Sequence, residues 1–535
     1  MTFRSGRLMT LGALLAFLVG GGLAAGQEIS SQQLLAGLTN PSTWLTYSGD
    51  YSGQRHSPLR QITPSNVPQL AVQWAFQTGV PGRFQAVPIV VDGVIYITGP
   101  NNNAWAIDGL TGRRLWAYQH EMPDLPGTNV NRGFAVFGNK LYMTTIDAHL
   151  VALDMKTGSV VWDSVIDERK KGYYATIAPL VVKNKVIVGI GGADEGTRGF
   201  IDAFDPETGK RSWRFWTVPE PGAPGNETWT GNSWERGGGS TWLTGTYDPE
   251  LNLLYWGTGN PAPDLLGEVR KGDNLYTASV VALDPDTGKL RWHYQFTPHD
   301  TRDWDAVQIP VLADINTAGV RRKVLMLANR NGFFYTLDRT DGKLIRARPF
   351  VRTTWANEVG ADGRPVELPG SQPTDKGSVI CPDVTGATNW NSPAFNPATG
   401  LFYVTARETC ATFYQWRQEF IPDRDFFGGT GVRAGRGYGA VRAIDPLTGA
   451  VQWESKQFTP SVSGLLTTAS GLLFGGDADG SLTAYDARAG KILWSFQTGA
   501  PIQAAPATVM IGGKQLILIG SGTTFFALGL PGTRQ

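Results

Sequence analysis

The chain has 535 residues, with 47 basic against 46 acidic side chains, 67 Gly, 33 Pro and 18 Trp. A charge balance this even provides no field to hold nucleic acid or an anionic membrane surface, which removes those classes of partner. Turn formers and large flat side chains dominate instead, as they do in proteins built from many short strands.

Read from the N-terminus, Arg4 and Arg7 precede an apolar, small-residue run from Leu8 to Leu23, and Ala24-Ala25-Gly26 offers a cleavage site before Gln27. This is the pattern of a secretory signal peptide over residues 1–26, with an uncleaved anchor as the alternative, although the apolar run is short for a membrane span. No later segment is long and apolar enough to cross a membrane, so residues 27–535 are expected to form one exported domain without a span. A strand LAVQWAFQTG follows from Leu70, and then a short pattern recurs seven times: AIDGLTGRRLW from Ala106, ALDMKTGSVVW from Ala152, AFDPETGKRSW from Ala203, ALDPDTGKLRW from Ala282, TLDRTDGKLIR from Thr336, AIDPLTGAVQW from Ala443 and AYDARAGKILW from Ala484. Asp can hydrogen-bond its own turn backbone, Gly supplies positive φ, and Trp carries a large surface to bury between neighbouring sheets. A strand–turn–strand unit repeated at a few tens of residues is the signature of a β-propeller. Seven copies, plus a last sheet closed by pairing the C-terminal strand TTFFALGL from Thr523 with the strand at Leu70, predict an all-β, eight-bladed ring, with Trp74 in the place of the repeat Trp. Trp116, Trp162, Trp213, Trp292, Trp453 and Trp494 are expected to pack and to do no chemistry.

The longest interval between repeats, around Thr353 to Gly439, is an insertion, and insertions of this kind carry function. It holds both cysteines, Cys381 and Cys410. In an oxidising compartment an even pair reads as a disulfide, contributing about 3–4 kcal/mol on the chain-entropy model. Neither lies in a C-x-x-C-H motif, so the chain has no c-type haem attachment site of its own. The five histidines, His56, His120, His149, His293 and His299, show no H-x-x-x-H or Cys/His spacing and read as structural, His299 being of interest only for its nearness to Asp303.

Longer blocks go beyond the generic repeat: WLTYSGDYSGQRHSPLRQI from Trp44, VNRGFAVFGNKLY from Val130, APLVVKNKVIVGIGGADEGTRG from Ala178, GGGSTWLTGTYDPELNLLYWGTGNPAPD from Gly237, TPHDTRDWDAV from Thr297, NRNGFFYTLDR from Asn329 and ICPDVTGATNW from Ile380. In these the chain resembles the pyrroloquinoline quinone (PQQ)-dependent alcohol dehydrogenases, periplasmic quinoproteins that include methanol and ethanol dehydrogenases, and the resemblance covers nearly all of the mature chain. It implies PQQ and a metal ion as cofactors. The metal would be held by Asp194, Asn260 and Asp303, oxygen donors that suit a hard cation such as Ca²⁺. Asp305 lies two residues from Asp303 and would face the same way if the segment is extended. An Asp at this position resembles members that use a lanthanide ion; the alternative is that it caps a turn or pairs with Arg302. The resemblance also places Gln85, Arg132, Thr176, Gly191, Gly192, Ala193, Trp242, Arg330 and Asn389 around the quinone, Trp242 as its stacking floor and Arg330 at its reactive carbonyl edge, and makes Asp303 and Arg330 the catalytic pair. Small residues let backbone N–H groups approach an anion, and Arg offers a planar fork.

Several positions depart from the family pattern. Asp194 stands where Glu is usual, so Glu195 could take its place; Gln85 replaces a Glu; Val462 replaces an aromatic; and the stretch HEMPDLPGTNV lacks the adjacent cysteine pair that covers the quinone in many members. The activity implied is oxidation of an alcohol to an aldehyde, with a small alcohol as substrate and a separate soluble c-type cytochrome or other acceptor taking the electrons. A homodimer stays open. Two other readings remain: a non-catalytic propeller scaffold of the outer-membrane assembly type, and a quinoprotein acting on sugars or polymeric alcohols.

Overall fold

The computed structural model describes residues 1–2, 28–122, 130–317, 319–422 and 424–532. The expected signal peptide lies almost wholly outside them, and so does most of the stretch where the cysteine pair is missing. Each repeat forms a tight turn of the same construction. The aspartate carbonyl accepts the N–H of the glycine four residues on, at 2.8 Å from Asp108 to Gly112, from Asp154 to Gly158 and from Asp445 to Gly449. The aspartate side chain accepts two further turn N–H groups, as Asp154 Oδ1 does from Lys156 at 3.0 Å and Thr157 at 2.9 Å. One strand thereby ends and the next begins with no turn donor left over.

Among the described residues these strands assemble into seven four-stranded sheets and one five-stranded sheet of the propeller, with smaller sheets in the insertion. Strand Ala71–Gln77 pairs antiparallel with Thr524–Gly529, so one sheet is built from both ends of the chain. Adjacent sheets meet through the repeat Trp, whose Nε1 in several copies donates to a turn carbonyl of the next unit: Trp74 to Gly109 at 3.0 Å, Trp116 to Met155 at 3.0 Å, Trp162 to Pro206 at 3.1 Å. Its ring lies over the glycine of that next turn. A Cβ added at Gly158 would lie 2.7 Å from the Trp116 ring, and the same clash arises at Gly112 with Trp74, Gly209 with Trp162 and Gly490 with Trp453. The repeat glycine is therefore fixed twice, by its φ of 72° at Gly158 and by the indole above it. Where Arg346 replaces the Trp, the glycine of the next repeat, Gly449, packs on Arg348 and Arg346 instead.

This gives a direct expectation. Gly158→Ala lowers stability by about 2–4 kcal/mol, from the left-handed penalty plus overpacking, whereas Gly471→Ala loses only the first, about 1 kcal/mol. Gly471 has φ 88° and open space where its Cβ would stand. Thermal melts of the two variants measure the difference; equal losses would show that the stacked Trp contributes nothing.

No helix among the described residues is long and apolar enough to cross a membrane. Cys381 and Cys410 are joined in a disulfide, as expected, with Cα atoms 4.2 Å apart.

Candidate functional site

A cavity of about 580 Å³ opens among the loops that follow the strands. Gln85, Arg132, Thr176, Ala193, Trp242, Arg330 and Asn389 line it, and so do Asp194, Asp303 and Asp305. Blocks separated by more than 300 residues in sequence thus meet in one place. Three expected residues do not line it: Gly191, Gly192 and Asn260. Gly191 and Gly192 lie behind the wall, where a Cβ at Gly191 would strike the Tyr174 ring and one at Gly192 the Gly172 carbonyl. The Gly191 N–H is already bonded to the Tyr174 carbonyl at 2.8 Å. Close packing on the Tyr174 segment, and not access of an anion to the backbone, is what requires glycine there.

Arg330 organises the floor. Its Nη2 reaches Asp303 Oδ2 at 3.3 Å and the Val384 carbonyl at 2.8 Å, and its Nη1 pairs with Asp305 Oδ2. Asp303 has φ 59°, so the Asp303–Asp305 segment is not extended and the two-residue spacing argument does not apply. The carboxylates converge all the same, through a left-handed turn and a shared guanidinium. Asp305 is held on both oxygens, Oδ1 by the Asn260 N–H at 3.0 Å and Oδ2 by Trp242 Nε1 at 3.1 Å as well as by Arg330. Arg302 is not its partner: that side chain bonds the Ser371 carbonyl and Glu367. Asn260 donates its backbone N–H to Asp305, and its side-chain Nδ2 donates to the Pro261 carbonyl at 3.3 Å, a bond that does not engage the amide oxygen expected to meet a metal. Gly259 must be glycine because a Cβ there would collide with Asp305 Oδ1.

Burial pushes the Asp194 carboxyl up to about 7, and the Asp305 charge pushes in the same direction. Asp303 is raised well above the usual carboxylate range by burial, against the pull of Arg330 and with the push of Asp305 and Asp194. A fourth carboxylate, Asp264, joins them. It is raised by burial and by the charges of Asp194, Asp303 and Asp305, and its Oδ1 is buried with no hydrogen-bond partner among the described residues. Sequence reasoning missed it; in Pro261-Ala262-Pro263-Asp264 it reads as a turn residue, and only the packing of Arg270 against its carbonyl at 3.0 Å brings it inward. Burial works to lower the Arg330 pKa, but Asp303, Asp305 and Asp194 outweigh it and raise it. Glu195 is engaged elsewhere, paired with Arg169 at 2.8 Å, which leaves Asp194 as the freer donor.

These residues fit a metal ion. The donors are all oxygens, several carboxylates crowd one another in a buried place, and one carboxylate oxygen lacks a partner; a hard cation of high charge relieves all three. They also fit a flat polyanion: Arg83, Arg132 and Arg169 line the cavity, Arg132 Nε is a buried donor without a partner among the described residues, and the Arg132 guanidinium lies 4.8 Å from the Trp242 ring centroid. The linkage sign is fixed by Asp194. In protein stripped of metal, folded Asp194 keeps its proton up to about pH 7, while the unfolded chain releases it near 3.8. Its contribution to stability therefore falls as pH rises across that window and is flat above it, and cation affinity rises across the same window. Titrations with Ca²⁺ or La³⁺ at about pH 5.5 and about pH 8 are expected to show binding at least tenfold tighter at the higher value; pH-independent affinity would refute the assignment of Asp194 as a ligand.

The family profile described as "PQQ: Glucose/ethanol/alcohol dehydrogenase, beta-propeller domain" matches residues 44–367. A second, described as "Outer membrane protein assembly factor BamB", matches residues 437–529, which hold the last repeats and none of the cavity carboxylates. Over 90% of its length the chain is 43% identical to the quinohemoprotein alcohol dehydrogenase ADH IIB of Pseudomonas putida, of which it covers 73%. It is 39% identical to the quinoprotein alcohol dehydrogenase PedH of the same species, covering 93% of this chain and 89% of that one. A solved structure described as a europium-containing methanol dehydrogenase superimposes with a TM-score of 0.87 at 35% identity, covering 92% of both chains.

Proposed function

Because this chain belongs to the PQQ-dependent alcohol dehydrogenases, we propose that it oxidises a small primary alcohol to the aldehyde at the cavity described above, in the periplasm, and passes the electrons to a separate c-type cytochrome. The observation that carries this reading is the convergence of Asp194, Asp264, Asp303 and Asp305 on one buried place with Arg330. A scaffold gains nothing from buried carboxylates that repel one another, and they lower its stability.

Asp194, Asn260, Asp303 and Asp305 would hold the metal, Asn260 through its side-chain oxygen, Asp264 would add charge behind them, and Arg132, Thr176, Asn389 and Trp242 would hold the quinone. When bound, the two supply a two-electron acceptor whose carbonyl is polarised by a Lewis acid. The protein's own part is proton transfer and positioning. Asp303, held at the cavity by its contact with Arg330, accepts the hydroxyl proton of the alcohol. Arg330 holds Asp303 in place and presents positive charge to oxygen in the cavity. Asp305, tied on both oxygens, keeps the floor rigid and raises the negative charge, which favours a trivalent lanthanide over Ca²⁺; the likeness to a europium-containing enzyme supports this. Both cysteines are in the disulfide, so no thioether link to haem forms within this chain and electrons leave to a partner. The sheets stack as eight blades closed by Ala71–Gln77, and residues 1–26 direct export.

Dye-linked oxidation of ethanol and a panel of small alcohols, by mature protein reconstituted with PQQ and either Ca²⁺ or La³⁺, tests the reading. Turnover that needs PQQ and is faster with La³⁺ is expected. Faster turnover with Ca²⁺ would remove the lanthanide preference. No turnover with either metal, together with no PQQ binding, would return the scaffold reading.

A further inference from the structure

A second cluster of metal-ligating side chains lies away from the carboxylate floor. His120 follows strand Arg114–Gln119 of one sheet, while His149 opens strand His149–Asp154 and Asp163 lies in strand Val160–Val165 of the next. One ligand atom from each of these three lies within 4.8 Å of the others. Asp147 joins them from the turn before His149, where Ala148 takes φ 64° and turns the chain back on itself. His120 Nε2 and Asp147 Oδ2 are 3.0 Å apart, His149 Nε2 and Asp147 Oδ2 3.9 Å, and His149 Nδ1 and Asp163 Oδ1 2.8 Å. The two imidazole rings have centroids 5.7 Å apart.

Three features distinguish this group from a pair of ordinary His–Asp hydrogen bonds. Asp147 Oδ1 is buried with no hydrogen bond of full geometry among the described residues, the nearby Thr145 hydroxyl being the one other group that holds the Asp147 carboxylate besides the histidines. His120 turns its other ring nitrogen, Nδ1, to the Tyr118 hydroxyl at 3.3 Å, the kind of outer hydrogen bond that fixes the tautomer of a metal-ligating histidine. The side chains are neither sealed nor loose, with exposures of 12% for His120, 25% for Asp147, 27% for His149 and 36% for Asp163, so an ion has a path in.

We propose that His120, His149, Asp163 and Asp147 form a second metal site, selective for a borderline divalent transition ion of the Zn²⁺ or Cu²⁺ class. The donor chemistry separates it from the cavity floor. Two imidazole nitrogens with carboxylate oxygens suit these ions, whereas the floor offers oxygen alone and suits hard cations. An ion here cross-links two adjacent sheets and pins the turn whose Ile146 lines the cavity. The sequence hid the site because His120 comes from one sheet and Asp147, His149 and Asp163 from a hairpin of the next, at spacings that match no ligand motif.

The test uses untagged protein carrying PQQ and its catalytic metal, equilibrated with Zn²⁺ and then desalted, with bound zinc counted by elemental analysis and coordination read from the visible spectrum after Co²⁺ is used in its place. Wild type is expected to retain about one Zn²⁺ per chain and to give the intense bands of four-coordinate Co²⁺, whereas His149→Gln and Asp163→Asn bind at least about tenfold more weakly. Asp163 is partly exposed on its strand, so Asp163→Asn keeps the test valid if His149→Gln fails to fold. Dye-linked activity close to wild type in the variants confirms that the cavity is intact. If wild type retains no zinc, or the variants retain as much as wild type, the proposal is overturned.

Discussion

Replacing Asp303 with Asn lowers kcat for alcohol oxidation by about a thousandfold and leaves KM within a few-fold, the loss expected when a positioned general base is removed. Of the two carboxylates tied to Arg330, Asp303 is the freer to take a proton. Its only contact with Arg330 is the long one at 3.3 Å, and its side chain keeps 20% exposure, against 6% for Asp305. Asp305 is committed on both oxygens to Asn260, Trp242 and Arg330, so a proton arriving there would break bonds already made. The substitution is clean in backbone terms, because Asn tolerates the left-handed conformation that Asp303 adopts at φ 59°. Steady-state kinetics on ethanol measures it. A kcat within tenfold of wild type would move the base elsewhere, with Asp194 next in line.

Arg330→Met gives the second large effect, and it divides by metal content. With the guanidinium gone, metal-stripped protein loses about 3–5 kcal/mol, because buried carboxylates are left without their cation. The loss is smaller at low pH, since Asp194 and Asp303, with pKa values raised by burial, take up protons and cease to repel. Saturating La³⁺ recovers most of the stability but not the activity, which stays down by about 100-fold or more for want of the positioned charge. Melting curves with and without metal, paired with dye-linked rates, separate the two. A variant equally unstable with and without La³⁺ would mean that Arg330 serves packing on Gly386, where a Cβ would already lie 2.6 Å from the Arg330 Cβ, and not charge compensation.

The sequence made the repeats readable because their chemistry is local. Asp, Gly and Trp each answer to a turn or a neighbouring sheet a fixed distance away, and Trp74 falls into the same place with no repeat around it. The site was readable where a side chain acts alone in its block, as with Arg132, Trp242 and Arg330. It was less so where the backbone does the work: Gly191 and Gly192 supply room for Tyr174 and Gly172. Asp264 and the His120–His149 pair were hidden for a third reason. Their partners come from segments that are neighbours only after the sheets have formed, and no spacing in one dimension records that.

The strand pairing that joins Ala71–Gln77 to Thr524–Gly529 sets an order of events during synthesis. Strand Ala71–Gln77 is among the first to leave the ribosome, yet its partner is among the last. At about 5–20 residues per second, tens of seconds pass in which its backbone edge is bare and open to pairing with any other chain. The other sheets, made from neighbouring segments, can form meanwhile, while this one waits for its final strand. A chain stalled or clipped shortly before Thr524 would keep every residue of the cavity and still lack the partner for its first long strand, a truncated product selected for aggregation and not for lost chemistry.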